Sequence, residues 1–292
     1  MNKIVIIVLA GISSLTLLAK ENVGNTSTSN SQSSLARVAA DCTPSQAKTD
    51  LNINNVRTTI MGAADMWWNL SDARYEIPKN SNKHSMFAGA LWIAGIDAGE
   101  QLKAAAMTYR QTGNDFWTGP LDASGEIDAE TCDEYDKHFV VTRQEVDEFI
   151  AWFNDNDAYP DYSVPLSILN WPGNGVNGDY QFLAPYFDAN DDGEYNPNDG
   201  DYPKYDIEGN LDCNNDDLIY GDQTLYWIFN DKGNIHSETG ADPIGLEIRA
   251  QAFAFATNDE INNMTFYNYK IINRATIQLK DAYFGQWVDP DL

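Results

Sequence analysis

The stretch Asp188-Ala189-Asn190-Asp191-Asp192-Gly193-Glu194-Tyr195-Asn196-Pro197-Asn198-Asp199 carries the most specific chemistry in the chain. Counted from Asp188, side-chain oxygens stand at positions 1, 3 and 5 (Asp188, Asn190, Asp192), Gly193 supplies a sharp turn at position 6, and Asp199 stands at position 12. A hard cation such as Ca2+ takes about six to eight oxygens at flexible geometry, and this spacing wraps them around one point. Glu194 at position 7 is expected to offer its backbone carbonyl, and Asn196 at position 9 to act directly or through water. The metal ligands read from the sequence are therefore Asp188, Asn190, Asp192, Glu194 and Asp199, with Ca2+ as the cofactor. Asp rather than Glu closes the loop, and Pro185, Pro197, Pro203 and Gly200-Asp201 make its flanks poor in helix. That is the character of a structural loop in an extracellular module rather than of a sensor. From Asp188 to Asp222 twelve acidic residues face a single base, Lys204, and Asp201, Asp216 and Asp217 are candidates for a second site. The plainer reading is a solvated acidic loop held by Asx turns.

Other chemistry is poorly signalled. There is no Gly-x-Ser-x-Gly elbow and no His-Glu-x-x-His zinc helix. His84, His138 and His236 have no partner at a fixed spacing, so they read as polar residues at strand or loop ends. A glycosidase needs two carboxyl groups at a spatial separation that sequence does not give. Asp65, Glu76, Asp97 and Glu247, each near apolar or aromatic residues, are the first to consider. Among the tryptophans, Trp92 and Trp227 lie in apolar strand runs and read as core. Trp117 and Trp171 lie in Gly/Asn/Pro-rich loops, where an exposed ring could stack on a sugar.

The elements that must position these residues are mostly strands. From Asp50 onward, short segments rich in aromatic and β-branched residues are separated by Gly, Pro, Asn and Asp. Strands are expected over Asn55–Met61, Ser85–Ile96, Leu102–Gln111, Gln223–Asn230, Gly245–Thr257, Met264–Asn273 and Asp281–Val288. Within the fifth, Leu246, Ile248, Ala250, Ala252, Ala254 and Ala256 alternate first with polar residues and then with Phe253 and Phe255. It should begin half buried and end covered on both faces. One amphipathic helix is predicted after Thr142, which forms a capping box with Glu145 and is followed by Val146, Phe149, Ile150 and Phe153 on one face. Asn154–Asp161 and Pro160 end it. The fold class is mainly β: a β-sandwich-like domain with one amphipathic helix and a long acidic calcium-binding loop.

At the scale of the chain, 292 residues carry 18 Lys+Arg and 44 Asp+Glu, a net charge of -26 that repels phosphate and excludes a nucleic-acid binder. With 43% hydrophobic and 12% aromatic residues, the composition is that of a folding domain rather than an acidic tail. Lys3, the apolar run Ile4–Leu18 and Ala19 have the layout of a signal peptide over 1–19. The run is too short and too interrupted for a membrane span. The Ser/Thr/Asn-rich residues 20–41 form a linker, and residues 42–292 a β-rich extracellular domain whose acidic region covers 186–222. Cys42, Cys132 and Cys213 have no zinc spacing. In an exported protein they could give one disulfide and one thiol, and three thiols are equally compatible with the spacing.

The chain resembles the N-terminal region of large secreted Bacteroidetes proteins exported by the type IX secretion system. The resemblance is carried by Asn54-Asn55-Val56-Arg57, by the Lys83–Ile93 string, by Thr108-Tyr109-Arg110-Gln111, by Gly113–Asp122 and by the calcium loop. It continues through Gly221-Asp222-Gln223, His236–Gly240 and Trp287–Leu292. It implies a secreted or cell-surface location reached through the periplasm, a multi-modular whole and, where a sorting domain follows, contact with the secretion machinery. The chain stops in mid-motif at Leu292, so the domain is expected to be incomplete at its C-terminus. The function expected is a calcium-stabilised structural or adhesion-type module without catalysis. The alternative is a glycan-binding module or part of a glycoside hydrolase, with extracellular polysaccharide as partner.

Overall fold

The computed structural model describes residues 40–206 and 218–291. The expected signal peptide, nearly all of the linker, and Cys213, Asp216 and Asp217 lie outside the described residues.

Two antiparallel sheets form the body. The first contains β1 (Lys48–Leu51), β2 (Arg57–Met61), β3 (Asp65–Met66), β4 (Tyr75–Glu76), β5 (His84–Ile96), β6 (Leu102–Ala105) and β14 (Lys280–Pro290). It runs β1-β2-β3-β5-β14, with β4 bridging β2 to β5 and β6 pairing with β5. The second contains β7 (Trp117–Thr118), β8 (Phe139–Thr142), β11 (Gln223–Asn230), β12 (Leu246–Ala254) and β13 (Phe266–Asn273), in the order β13-β12-β11-β7 with β8 also on β11. A two-stranded ribbon, β9 (Tyr186–Phe187) with β10 (Tyr202–Pro203), brackets the acidic loop. Among the described residues there are three α-helices: α1 (Ala129–Glu134), α2 (Arg143–Asn154) and α3 (Leu166–Leu169). The fold is mainly β and sandwich-like, as the residue pattern requires.

Strand periodicity sets the layers. Along β11, Leu225, Trp227 and Phe229 enter the core shared with the first sheet, where they meet Ile60, Ala90 and Ile93. Tyr226 and Ile228 point the other way, into a second core with Val141, Val146, Trp171 and Ile219. The second sheet is therefore covered on both faces, by the first sheet on one side and by α2 and the loops on the other. β12 departs from the expected half-buried start, since Glu247 is buried as well as Leu246 and Ile248. Its charge is matched by Arg249 and Arg274, which lets the strand be polar and enclosed at once. Close approach also matters in the first sheet: a Cβ on Gly89 would lie 2.4 Å from the Trp67 ring, so only glycine lets that indole cross β5.

Helix α2 starts as its sequence dictates. Thr142 accepts from the Glu145 backbone N–H, and the Glu145 side chain accepts from the Thr142 backbone N–H. Val146 and Phe149 are buried, whereas Phe153 keeps 42% exposure and stacks on Phe149 at 6.0 Å. Its ring also covers Gly200, where an added Cβ would meet it at 2.6 Å. With Phe149 6.3 Å from the Tyr202 ring, this helix seats the end of the acidic loop against the second sheet.

One disulfide, Cys42–Cys132, ties the segment before β1 to α1 with a Cα–Cα distance of 5.8 Å. No helix among the described residues is long and apolar enough to cross a membrane.

Candidate functional site

The acidic loop leaves β9 at Phe187 and returns at β10, so its ends are pinned by the Tyr202↔Phe187 and Pro203↔Tyr186 pairs. Within it the side chains fold back on the backbone. Asp188 accepts from the N–H groups of Asp192 (3.2 Å) and Gly193 (2.8 Å), Asn190 from Asp192 (3.1 Å), and Asp192 from Glu194 (2.8 Å). The tight winding needs left-handed backbone, supplied by Asp191 (φ 59°) and Gly193 (φ 78°). Asn196 then caps a 3-10 turn at Pro197–Asp199, with Gly200 (φ 101°) ending it.

Asp201 lies within the electrostatic reach of Asp188 and Asp192, while Asp192, Glu194 and Asp199 are exposed. Asp201, fully buried, bonds the backbone N–H of Ala189 and of Asn196, each at 2.8 Å, and so clamps the start of the loop to its end. Burial first, and then the charges of Asp188 and Asp192, push its carboxyl above the ordinary carboxylate range, against the two N–H groups that pull it down. No basic side chain among the described residues pairs with Asp188, Asp192 or Asp201. Asp199 lies exposed on the 3-10 turn and accepts from the Asn196 side-chain amide at 2.5 Å, and Glu194 is exposed. The residue beside the first two acids is thus Asp201, two places beyond the twelve-residue frame. The same charges reach Tyr186, whose hydroxyl is pushed up to about 12 by burial and by Asp188, Asp201, Asp192 and Glu194.

A carboxylate offers about four lone-pair sites, so the bonds to loop amides leave Asp188, Asp192 and Asp201 with oxygen capacity for a hard cation. As they stand, no three His, Cys, Asp or Glu among the described residues form a ready-made metal cluster. The side-chain donors of the loop are all oxygen, a set of the kind that suits a hard cation rather than zinc.

The aromatic candidates are placed differently from expectation. Trp117 and Trp171 are only 2% and 3% exposed, so neither offers a face to a sugar. Trp117 packs against the Cys42–Cys132 disulfide, and Trp171 donates Nε1–H to Pro185 O at 2.9 Å beneath the acidic loop. Conversely Trp92, read as core, is 40% exposed and stacks on Trp287 of β14, while Trp227 is buried as read.

Each candidate carboxylate is committed to structure. Asp65 holds Arg110 through Nε (2.9 Å) and Nη2 (2.6 Å) and accepts from Trp68 Nε1 (3.0 Å). Glu76 pairs with Arg57 at 2.8 Å, and Asp97 shapes a turn by accepting from Gly99 N–H and Gln101 N–H. Glu247 takes Arg249, Arg274 and the Leu121 N–H. Two of the three histidines are similarly occupied. His84 faces Glu76 across β4 and β5 with its buried Nδ1 unpartnered, whereas His138 bonds Thr49 and Met61. His236 is buried, with Nδ1 and Nε2 each 2.7 Å from a carbonyl oxygen, of Ala104 and Asp231 respectively. That leaves neither ring nitrogen of His236 free to move a proton. Nothing in its Ile-His-Ser context signals this role, because the partners lie on β6 and beyond β11.

No protein-family model, no curated protein and no solved structure matches the chain.

Proposed function

We propose that the chain is an exported, calcium-stabilised module of a larger surface or secreted protein, with the ion held by Asp188, Asp192 and Asp201 and by the oxygens of Asn190 and Glu194. One observation carries the reading: a fully buried carboxylate, Asp201, sits under the influence of two more acids with no basic partner among the described residues. Two backbone N–H bonds offset part of the cost of that buried carboxylate, and a bound cation would offset more of it. The Cys42–Cys132 disulfide supports the exported compartment, since such bonds persist where the surroundings are oxidising. The signal-peptide layout of residues 1–19 points the same way. The role assigned is structural, because Asp65 and Glu247 are spent on ion pairs and His138 and His236 on hydrogen bonds within the fold.

The test is thermal unfolding of the purified protein in EGTA and in millimolar CaCl2. An ion that binds only the folded form at about 100 times its Kd adds about 2.7 kcal/mol, which in a domain of this size raises Tm by roughly 5–10 °C. Asp188→Ala with Asp192→Ala, and Asp201→Asn alone, should each remove that rise. A melting curve indifferent to calcium in the unaltered protein would sink the reading.

A further inference from the structure

In a chain with 18 basic and 44 acidic residues, a place where bases gather runs against composition. Lys204, Arg249 and Lys270 line one cavity of about 340 Å³, formed where the outer face of β12 and β13 meets the segment 182–186. The wall is fixed rather than loose. Arg249 donates Nε–H to Glu247 at 2.8 Å and Nη1–H to the carbonyls of Phe182 and Leu183 at 3.0 and 2.9 Å, so its guanidinium pins the segment to the sheet. The half-buried Lys204 has no side-chain hydrogen bond or ion pair among the described residues.

Two further features specify more than an inorganic anion. Gln251, 4% exposed, donates Nε2–H to Leu218 O at 2.9 Å, while its Oε1 is buried with no partner. A buried acceptor left unpaired costs about 1–3 kcal/mol, and a ligand hydroxyl offered to it recovers that cost. At the rim, Phe182 is 56% exposed, and its ring lies parallel to Tyr186, 5.7 Å away at 7°. An exposed flat ring supported from behind matches the apolar face of a pyranose. The volume is at the small end of ligand pockets and suits one such ring.

Cation, buried acceptor and aromatic platform together describe a ring that bears both an anionic group and hydroxyl donors. We propose that this cavity binds an acidic sugar, a carboxylate- or sulfate-bearing unit of a polysaccharide, with the anion on Lys204, a hydroxyl on Gln251 Oε1 and the ring on Phe182. None of these three residues is a candidate calcium ligand, so the proposal stands or falls apart from the calcium reading.

The experiment is isothermal titration of the whole chain, in calcium and in EGTA, with three tetrasaccharides: hyaluronan, which carries carboxylates, a carrageenan fragment, which carries sulfates, and neutral chitotetraose. The result expected is saturable one-to-one binding of an acidic tetrasaccharide and none of the neutral one. Affinity should fall roughly tenfold or more, about 1.4 kcal/mol, in Lys204→Gln and again in Phe182→Ala. Both substitutions lie at half-exposed or exposed positions, and circular dichroism checks that the fold is kept. Preference for hyaluronan identifies a uronate and preference for carrageenan a sulfate ester; either supports the proposal. It is overturned if no acidic tetrasaccharide binds, if the neutral one binds equally, or if a folded Lys204→Gln variant binds as tightly as the unaltered chain.

Discussion

Burial decides the charge state of His138. Its ring lies edge-on to Trp227 at 5.5 Å and bonds Thr49 Oγ1 at 3.0 Å and Met61 O at 3.2 Å, a pairing that a neutral ring satisfies by accepting from the hydroxyl and donating to the carbonyl. Burial pushes its pKa down to about 4 from 6.5, against smaller upward pulls from Met61 and Asp136. The unfolded chain therefore takes up a proton first as pH falls. Stability from this residue is complete above about 6.5 and drains away down to about 4. Urea midpoints between pH 7 and 4 should show an acid loss in which His138 contributes about 3 kcal/mol. His138→Gln, which keeps a donor and an acceptor, should flatten that slope; an unchanged slope would show that other groups carry it. At this scale the sequence was only partly readable. The oxygen spacing from Asp188 to Asp192 is plain, yet Asp201 joins them because the turn capped by Asn196 carries Asp199 outward and brings the next acid beneath the loop. Trp117 and Trp171 show the converse: a Gly/Pro-rich context marks a loop but not its exposure, and both rings lie under other segments of the chain.

Elements with strong local signals formed where the pattern placed them. β11 spans Gln223–Asn230 as expected because alternate residues must serve two different cores, and α2 begins at its capping box. Leu102–Gln111 shortened to Leu102–Ala105, since the chain must leave the sheet for Arg110 to reach Asp65, and Arg110 does so with φ 54°. The short pieces β1, β3, β4, β7 and β8, with α1 and α3, were not legible. Two to six residues carry too little periodicity, and long-range pairing rather than propensity holds them. The cap of α2 allows a direct test. Thr142→Ala removes the bond to the Glu145 N–H and should cost about 1 kcal/mol, read as a lower denaturant midpoint at constant m. Glu145→Ala should cost more, because that carboxylate also receives the Ser167 hydroxyl at 2.8 Å and so links α2 to α3. Equal losses would mean that the Ser167 bond contributes nothing.

For the whole molecule, two long-range terms act beyond the cores: a covalent link across 90 residues and a net charge of -26. Closing so long a loop restricts the unfolded chain, and by the chain-entropy relation reduction should cost about 4.6 kcal/mol, or roughly 10–20 °C in Tm. Peptide mapping should recover Cys42 joined to Cys132. A melt unchanged by reductant would show that the two halves hold without the link. The charge term depends on where the acids are. Asp188, Asp192 and Asp201 lie on one loop, where the charges of the first two push up the carboxyl of the third, and a counter-ion there relieves that repulsion. Monovalent salt screens with a Debye length of about 10 Å at 0.1 M, which weakens that repulsion without needing a site. In EGTA, Tm should therefore climb as NaCl rises from low millimolar to about 0.5 M. In saturating calcium the climb should be smaller if the ion binds the loop as proposed, since its charge would replace the screening by salt. The Asp188→Ala, Asp192→Ala variant should show the smaller climb even in EGTA. If the calcium-loaded and chelated proteins respond to salt alike, the repulsion that salt screens lies elsewhere on the surface, and calcium binding at this loop would have to draw its energy from coordination alone.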